Sequence, residues 1–171
     1  MKGLEKPLVK QKKHLIMFTA PHIHAMVIHF PIALILTGFL FELISLFSKS
    51  IFFKKASFYL LLLGAIGAVV AYVSGSYAGD GMTDGILEEP LEIHEQAATI
   101  TLWLAIVTAL IRAAMYYFNY HKKWLQWSSF LLFIVLVGFV ARTGYLGGQL
   151  VFQHGAGIEL ALPDFGDQTT N

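Results

Sequence analysis

Histidine is the residue type whose placement in this chain most directly suggests chemistry. Six of the seven histidines fall toward one end of the apolar segments of the sequence: His14, His22, His24, His29, His94 and His154. An imidazole is costly in lipid, and ionisable side chains found there usually have a partner or a function. Histidines that come from separate segments and meet at one membrane face are suited to bind haem iron or a transition metal.

The leading pair of candidate ligands is His29 and His94, which we expect to be the axial ligands of a haem iron. His29 lies two residues before Pro31, and a proline at this point predicts either a new helix start or a kink. His94 follows Pro90 by one helical turn and has Glu95 beside it. A carboxylate there would accept a hydrogen bond from the second ring nitrogen and fix the tautomer of a ligand. The alternative for His29 is an interfacial anchor or a hydrogen-bonded core residue.

Three further residues belong to the candidate site. His24 precedes His29 by five residues, about 140° around a regular helix, so both rings face one point only if the helix is distorted. We expect His24 and His154 to form a second ligand pair or a hydrogen-bonding shell around the cofactor. Arg142, near the end of the last apolar segment, is expected to pair with a haem propionate or to reach the lipid headgroups. The remaining histidines are expected in solvent or at the interface: His14, His22 and His121.

The elements that must position these side chains are membrane helices. The chain has 171 residues, of which 56% are hydrophobic and 13% are charged, and its mean hydropathy is +0.63. Ordinary soluble domains contain about 25% charged residues. A helix crosses the bilayer with roughly 20 apolar residues, and four segments reach that length: 25–47, 56–78, 97–118 and 124–146. We therefore predict an all-α bundle of four transmembrane helices in the lipid bilayer.

The composition also excludes several kinds of site. The chain contains no cysteine, so disulfides, thiolate metal sites and covalently attached haem are excluded. Any haem must therefore be haem b, held by coordination and packing. The net charge is +1, and the basic residues form a cluster only in the N-terminal tail, which argues against binding of nucleic acid.

An internal repeat predicts how the helices are connected. An offset of 68 residues aligns a basic turn and a glycine-tyrosine segment in the two halves: Lys54-Lys55 with Lys122-Lys123, Tyr77 with Tyr145, and Gly79 with Gly147. We predict two tandem helical hairpins, at about 25–79 and 94–148, related by an axis along the membrane normal. The same offset places His29 at Ala97, within one turn of His94, which suits a pair of ligands across that axis.

The distribution of charge predicts the orientation. A basic tail (1–20) and a polar tail (159–171) flank the transmembrane domain (21–158). Two of the loops carry lysines, whereas the loop between the second and third helices carries only acidic residues: Asp80, Asp84, Glu88, Glu89, Glu92 and Glu95. The positive-inside rule then places both termini in the periplasm of a bacterial inner membrane. Lysines of the N-terminal tail argue for the reverse: Lys2, Lys6, Lys10, Lys12 and Lys13.

Two motifs resemble a known family. They are His24-Ala25-Met26-Val27-Ile28-His29-Phe30-Pro31-Ile32-Ala33-Leu34 and Gly147-Gly148-Gln149-Leu150-Val151-Phe152-Gln153-His154-Gly155. They are similar to the H-P-x-x-V-H-F-P-I-A-L and G-G-x-L-V-x-x-H-G motifs of the bacterial membrane family called domain of unknown function twenty-two thirty-one. Ala25 departs from the pattern, which has proline there. Because some members are joined to c-type cytochrome modules, the resemblance implies a redox setting with sites at His24, His29, His94 and His154.

These observations favour an integral membrane electron-transfer protein that binds one or two b haems through paired histidines near the periplasmic face. We expect a subunit that passes electrons to a c-type cytochrome or a larger respiratory complex, rather than a stand-alone enzyme, with a quinone as a further candidate partner. One alternative is a non-haem site for copper, iron or zinc, built from the four histidines with Asp80 or Asp84. The other is a cofactor-free structural subunit of a respiratory membrane complex.

Overall fold

The structure is a computed structural model and describes residues 19–80, 85–120 and 122–157. These residues form five α-helices and one short 3₁₀ helix: α1 (Ala20–Val27), α2 (His29–Phe47), α3 (Ile51–Gly79), the 3₁₀ helix Gly85–Leu87, α4 (Glu88–Tyr117) and α5 (Lys123–Phe152). No strand occurs in the three ranges, so the all-α prediction is confirmed. His14, Asp84, His121 and most of both tails lie outside the described residues.

Four segments are long and apolar enough to span a membrane: Ala20–Phe47, Ile51–Gly79, Gly85–Tyr117 and Lys123–Phe152. They contain 28 to 33 residues, whereas roughly 20 residues cross the hydrocarbon core. The predicted bundle of four transmembrane helices is therefore confirmed. Because each helix extends beyond its predicted segment, the polar residues near its ends lie in helices rather than in loops.

The first transmembrane helix consists of α1 and α2, which are separated by a break at Ile28. Pro31 lacks the N–H that would continue the helical hydrogen bonds, and the N–H of Ile32 is 3.4 Å from the carbonyl oxygen of Ile28. At the break, Nδ1 of His29 donates to the carbonyl oxygen of Ala25 at 2.7 Å. The interruption predicted near Pro31 is thus present, and it lies immediately before His29.

The helices form two hairpins, α2 with α3 and α4 with α5, which join where α3 meets α4 and where α2 meets α5. Small residues allow close approach in the first hairpin, where a methyl group added at Gly64 would lie 2.7 Å from Cγ1 of Ile35. Phe39 of α2 packs against Phe133 of α5, with ring centroids 5.3 Å apart. Because each helix neighbours the next around the bundle, the first transmembrane helix and α4 lie diagonally opposite each other.

The two hairpins bury corresponding positions. In their first helices the correspondence is 70 residues, pairing Pro31 with Thr101, Ile35 with Ala105, and Gly38 with Thr108. In their second helices it is 72 residues, pairing Ser57 with Ser129, Leu61 with Phe133, and Gly64 with Leu136. The difference arises because the turn of the second hairpin (118–122) is two residues longer than that of the first (48–50). This register corrects the single offset of 68 residues expected from the sequence.

The centre of the bundle is apolar. Large side chains from all four helices meet there without access to the surface, among them Ile35, Leu61, Phe133 and Leu136. Many other large apolar side chains are exposed on the outside, as expected for helices that face lipid. Polar side chains that face inward therefore occur toward the two ends of the bundle, one at each membrane face.

Candidate functional site

His24 and His94 occupy equivalent positions in the two hairpins and lie on diagonally opposite helices. His24 is in α1, and His94 is in the second turn of α4. Both side chains are partly buried, and the two imidazoles are close enough for a charge on one to act on the other. The structure thus brings one histidine from each hairpin to the same end of the bundle.

Each of these rings rests against a glycine in the second helix of its own hairpin. A methyl group added at Gly75 would lie 2.9 Å from Cε1 of His24, and one added at Gly147 would lie 3.1 Å from Cε1 of His94. Glycine inside a helix costs roughly 0.5–1 kcal/mol relative to alanine, so these positions sacrifice helix stability for space. Any larger residue would push the ring aside. Gly75 and Gly147 therefore form the seats of the two imidazoles.

The hydrogen bonds of His24 leave one of its ring nitrogens free. Nδ1 is 3.0 Å from Oγ of Ser74, and that hydroxyl donates its hydrogen to the carbonyl oxygen of Ala71 at 2.9 Å. Because a serine hydroxyl has one hydrogen, Nδ1 of His24 is the donor to Ser74. The lone pair of the neutral ring then lies on Nε2. Histidines that bind metals are commonly held in this way through the nitrogen that does not bind the metal.

His94 keeps a nitrogen without a partner. Its ring lies beside the backbone carbonyl of Thr143, the position equivalent to Ala71. Within the part of the chain that the structure describes, however, its Nδ1 is buried and makes no hydrogen bond. The hydroxyl of Thr143 is engaged with Oγ1 of Thr101 at 2.8 Å. A buried polar atom without a partner costs about 1–3 kcal/mol, and a small rotation of the ring onto the Thr143 carbonyl would remove that cost.

His29, the first expected ligand, lies apart from this pair. Its side chain is exposed, and its Nδ1 donates to Ala25. The residue that faces His94 from the first transmembrane helix is His24, five residues earlier. In the observed register, the counterpart of His94 is His24, and the counterpart of His29 is Thr99. The expected ligand pair therefore changes from His29 with His94 to His24 with His94.

The other expected site residues also lie apart from the pair. His154 is exposed after the end of α5 and borders a groove that includes Glu89. Arg142 is exposed on α5, with its guanidinium carbon 6.0 Å from the ring centre of Phe139. It forms no ion pair with any residue in the described ranges. His22 is exposed near the start of α1, in agreement with its expected place at the surface.

The donor set at this end fits a haem better than a bare metal ion. Among residues 19–80, 85–120 and 122–157, no group of three or more His, Asp or Glu side chains is placed to hold one ion. The expected four-histidine site with Asp80 is therefore not assembled in these ranges. Two facing imidazoles are sufficient for haem, because the porphyrin supplies the remaining ligands of the iron. The two glycine seats and the unpartnered nitrogen of His94 also fit a cofactor that both rings would bind.

A second polar cluster lies at the other end of the bundle and takes one residue from each transmembrane helix. We call it the four-helix polar cluster: Glu42, Ser57, Arg112 and Ser129. Nη1 and Nη2 of Arg112 donate to the two carboxylate oxygens of Glu42, at 2.7 and 3.0 Å. Ser57 donates to Glu42 at 2.9 Å, and Nε of Arg112 donates to Ser129 at 3.0 Å. The charges of both ionic residues are thus fully engaged within the bundle.

Sequence reasoning did not identify this cluster, although a signal was available. Glu42 follows His24 by 18 residues, and Arg112 follows His94 by the same number, so opposite charges occupy equivalent positions in the two hairpins. At 1.5 Å per residue, roughly 27 Å separates the cluster from the histidine pair. This distance is close to the thickness of the hydrocarbon core, about 30 Å. The two polar sites therefore lie near opposite faces of the membrane.

Comparison with known proteins places the chain in a family. No curated protein and no solved structure shows significant similarity to it. A family model described as "Predicted membrane protein (DUF2231)" matches residues 20–160. The match includes all four transmembrane segments, the histidine pair and the four-helix polar cluster, and it agrees with the resemblance carried by the two sequence motifs. The chain therefore belongs to the DUF2231 family of predicted membrane proteins.

Proposed function

We propose that this protein binds one haem b between His24 and His94 and transfers electrons at one face of the membrane. The observation that carries the proposal is the matched pair of imidazoles on diagonally opposite helices, each seated on a glycine. Nε2 of His24 has a free lone pair in the neutral ring, and His94 has a buried nitrogen without a partner. Helical bundles commonly hold cofactors between side chains of facing helices.

Each residue around the pair has a separate role in this proposal. A bound haem iron supplies a one-electron carrier. His24 and His94 would hold it through Nε2, while Ser74 keeps the His24 ring in the required orientation and tautomer. Gly75 and Gly147 keep the space that the rings need. The apolar centre of the bundle excludes water from the inner side of the site, which influences the reduction potential.

The location of the site suggests where electrons would go. The histidine pair lies at the end opposite the lysine-bearing turns, whose residues the positive-inside rule places in the cytoplasm: Lys49, Lys54, Lys55, Lys122 and Lys123. We therefore propose that haem and both termini lie on the periplasmic side of a bacterial inner membrane. Exposed Glu88, Glu89 and Glu92 at that end would attract a basic partner, such as a c-type cytochrome or a subunit of a respiratory complex.

A visible absorption spectrum of the full-length protein, purified in mild detergent from cells supplied with ample haem, tests the proposal. We expect sharp α and Soret bands in the reduced-minus-oxidised spectrum and about one haem b per chain in a pyridine haemochrome assay. A colourless preparation from such cells would contradict the haem site. Metal analysis of that preparation would then distinguish a non-haem metal protein from a cofactor-free subunit.

Substitution of single histidines tests the ligand assignment. We expect His24→Ala and His94→Ala to lose most of the haem, while His29→Ala and the matched surface variant His22→Ala keep it. His24→Met provides a variant that retains a ligand, and we expect it to raise the reduction potential, as methionine ligation does in cytochromes. If His24→Ala and His94→Ala both retained full haem with an unchanged spectrum, the assigned ligands would be wrong.

A further inference from the structure

The two seams that join the hairpins differ at the histidine end of the bundle. Between α3 and α4 the seam is filled, because the hydroxyl of Tyr72 reaches to 3.2 Å from Oγ1 of Thr99. The seam between the first transmembrane helix and α5 has different residues at the equivalent positions. In the observed register, Thr99 corresponds to His29, and Tyr72 corresponds to Gly144. One seam therefore has a phenol ring and a hydroxyl where the other has no side chain and an imidazole.

Gly144 leaves open space in the second seam. No heavy atom lies within 4 Å of a methyl group placed at Gly144 or at Gly148. Helical spacing puts these two glycines on one side of Gly147, which contacts His94. Leu146 lies on the other side, where α5 meets α4. The open face of α5 is therefore directed toward the first transmembrane helix.

The open space is closed at both ends. Toward the four-helix polar cluster, Phe39 packs against Phe133. Toward the membrane surface, a methyl group placed at Gly157 would lie 3.2 Å from Cβ of Pro21. Between these two contacts, α1 packs against α3, and in the described residues it has no extended contact with α5. We call this opening, between the first transmembrane helix and α5, the lateral window.

His29 lies beside the lateral window with one nitrogen available. Its Nδ1 donates to the carbonyl oxygen of Ala25, so the lone pair of the neutral ring is on Nε2. The side chain is exposed, and its position five residues after His24 places it roughly 7.5 Å deeper in the membrane. Lipid chains offer no hydrogen-bond donor at that depth. A partner for Nε2 must therefore be a hydrogen donor that is soluble in lipid.

We propose that the lateral window binds the ring of a lipid-soluble quinol, which donates a hydrogen bond to Nε2 of His29. Tyr72 shows the fit within the same molecule, since its phenol fills the equivalent seam and its hydroxyl meets Thr99. A quinol carries the same group, a hydroxyl on an aromatic ring. Gly144 leaves room for that ring, and the lipid-facing side of the window allows the isoprenoid tail to leave.

The reaction at this site would be oxidation of the quinol to the quinone, which releases two electrons and two protons. His29 accepts the proton of the hydroxyl that is bonded to it and passes it to water at the nearby membrane face, and the second proton follows once His29 is neutral again. The electrons leave one at a time through the haem held by His24 and His94 to an external one-electron acceptor protein. This electron path rests on the proposed haem site, whereas binding of the ring rests on the window alone.

Photolabelling of the full-length protein in detergent with an azidoquinone, followed by peptide mapping, tests the proposal. We expect label near His29 and Gly144, and we expect excess short-tailed ubiquinol to suppress it. Gly144→Tyr supplies the side chain that the other seam already has, and it should reduce labelling by about tenfold or more without loss of haem. His29→Ala removes one hydrogen bond and should weaken binding by about tenfold.

Gly138→Tyr is the matched control. The space at Gly138 is also open, but it lies roughly 9 Å farther along α5 than Gly144, so labelling should be unchanged. Labelling away from the window, or labelling that Gly144→Tyr does not reduce, would overturn the proposal. A protein without haem that is still labelled in the window would contradict only the electron path. A haem-containing protein that is not labelled would contradict only the quinol site.

Discussion

Arg112 and Glu42 form a bidentate ion pair across the diagonal of the bundle, with side chains that are only 11% and 17% exposed. Charged residues inside a membrane protein usually pair with one another, and here Ser57 and Ser129 complete the arrangement from the two other helices. The pair joins the first transmembrane helix to α4, the same two helices that carry His24 and His94. The relative position of these helices is therefore held at both membrane faces.

Removal of one partner of the ion pair should destabilise the protein strongly. Arg112→Met leaves the Glu42 carboxylate unpaired among the helices, and breaking a buried pair in this way costs about 3–5 kcal/mol. Thermal unfolding in detergent measures the effect. The exchanged double variant Glu42→Arg with Arg112→Glu should recover much of the loss, and Lys49→Met is a surface control. Equal stability of Arg112→Met and the wild type would show that the pair contributes nothing to the fold.

Enlargement of the glycine seats should displace the histidines rather than unfold the bundle. The nearest atoms to a methyl group at Gly75 or Gly147 belong to the far ends of the His24 and His94 rings, which can move. We expect Gly75→Ala and Gly147→Ala to lose haem or change its spectrum while unfolding at nearly the same temperature. Gly75→Ala should have the larger effect because its contact is shorter. Gly138→Ala, in open space, should keep both properties, and an unchanged spectrum in all three would remove the role of the seats.

The hydrogen bond from His24 to Ser74 should tune the affinity for haem. Loss of a group that orients a metal-binding histidine typically weakens metal binding by about 10–100-fold. Haem titration of the apoprotein should show a loss of this size for Ser74→Ala. Ser76→Ala is the control, because its hydroxyl bonds only to the backbone carbonyl of Tyr72. An equal affinity in Ser74→Ala and Ser76→Ala would indicate that Ser74 has no part in the site.

The orientation can be measured directly because the chain contains no cysteine. A membrane-impermeant maleimide applied to intact cells without an outer-membrane barrier should label Asp80→Cys, at the histidine end, and not Lys54→Cys, at the basic turn. Permeabilised cells should allow labelling of both. The reverse pattern would place the histidine pair at the cytoplasmic face and would assign more weight to the lysines of the N-terminal tail.

Hydropathy was sufficient to predict the four transmembrane helices, because a segment of about 20 apolar residues has few alternatives in a chain with so little charge. The end of the bundle that carries the site was also predictable from the histidines. The ligand pair was not, because a single offset between the halves ignores the longer second turn and shifts each helix by two or four residues. On a helix, such a shift changes the side that a residue faces, and His29 was chosen in place of His24.

The polar cluster escaped prediction for a different physical reason. Its residues are far apart in the sequence, and each one alone is ordinary: a glutamate and an arginine near helix ends, and two serines. Only the arrangement of four helices brings them together, and only the hydrogen-bond distances show that all are engaged. Equal spacing from the histidines was the one property of the sequence that connected Glu42 with Arg112.

The opposite charges of the two hairpins have a consequence for their assembly. A homodimer of the first hairpin would bring Glu42 against a second Glu42, and a homodimer of the second would bring Arg112 against a second Arg112. Both arrangements leave like charges facing each other in a medium that screens them poorly. The histidine and its glycine are common to both hairpins and do not discriminate between partners. Self-association of either half is therefore disfavoured, and joining unlike halves in one chain ensures a stoichiometry of one acid to one base.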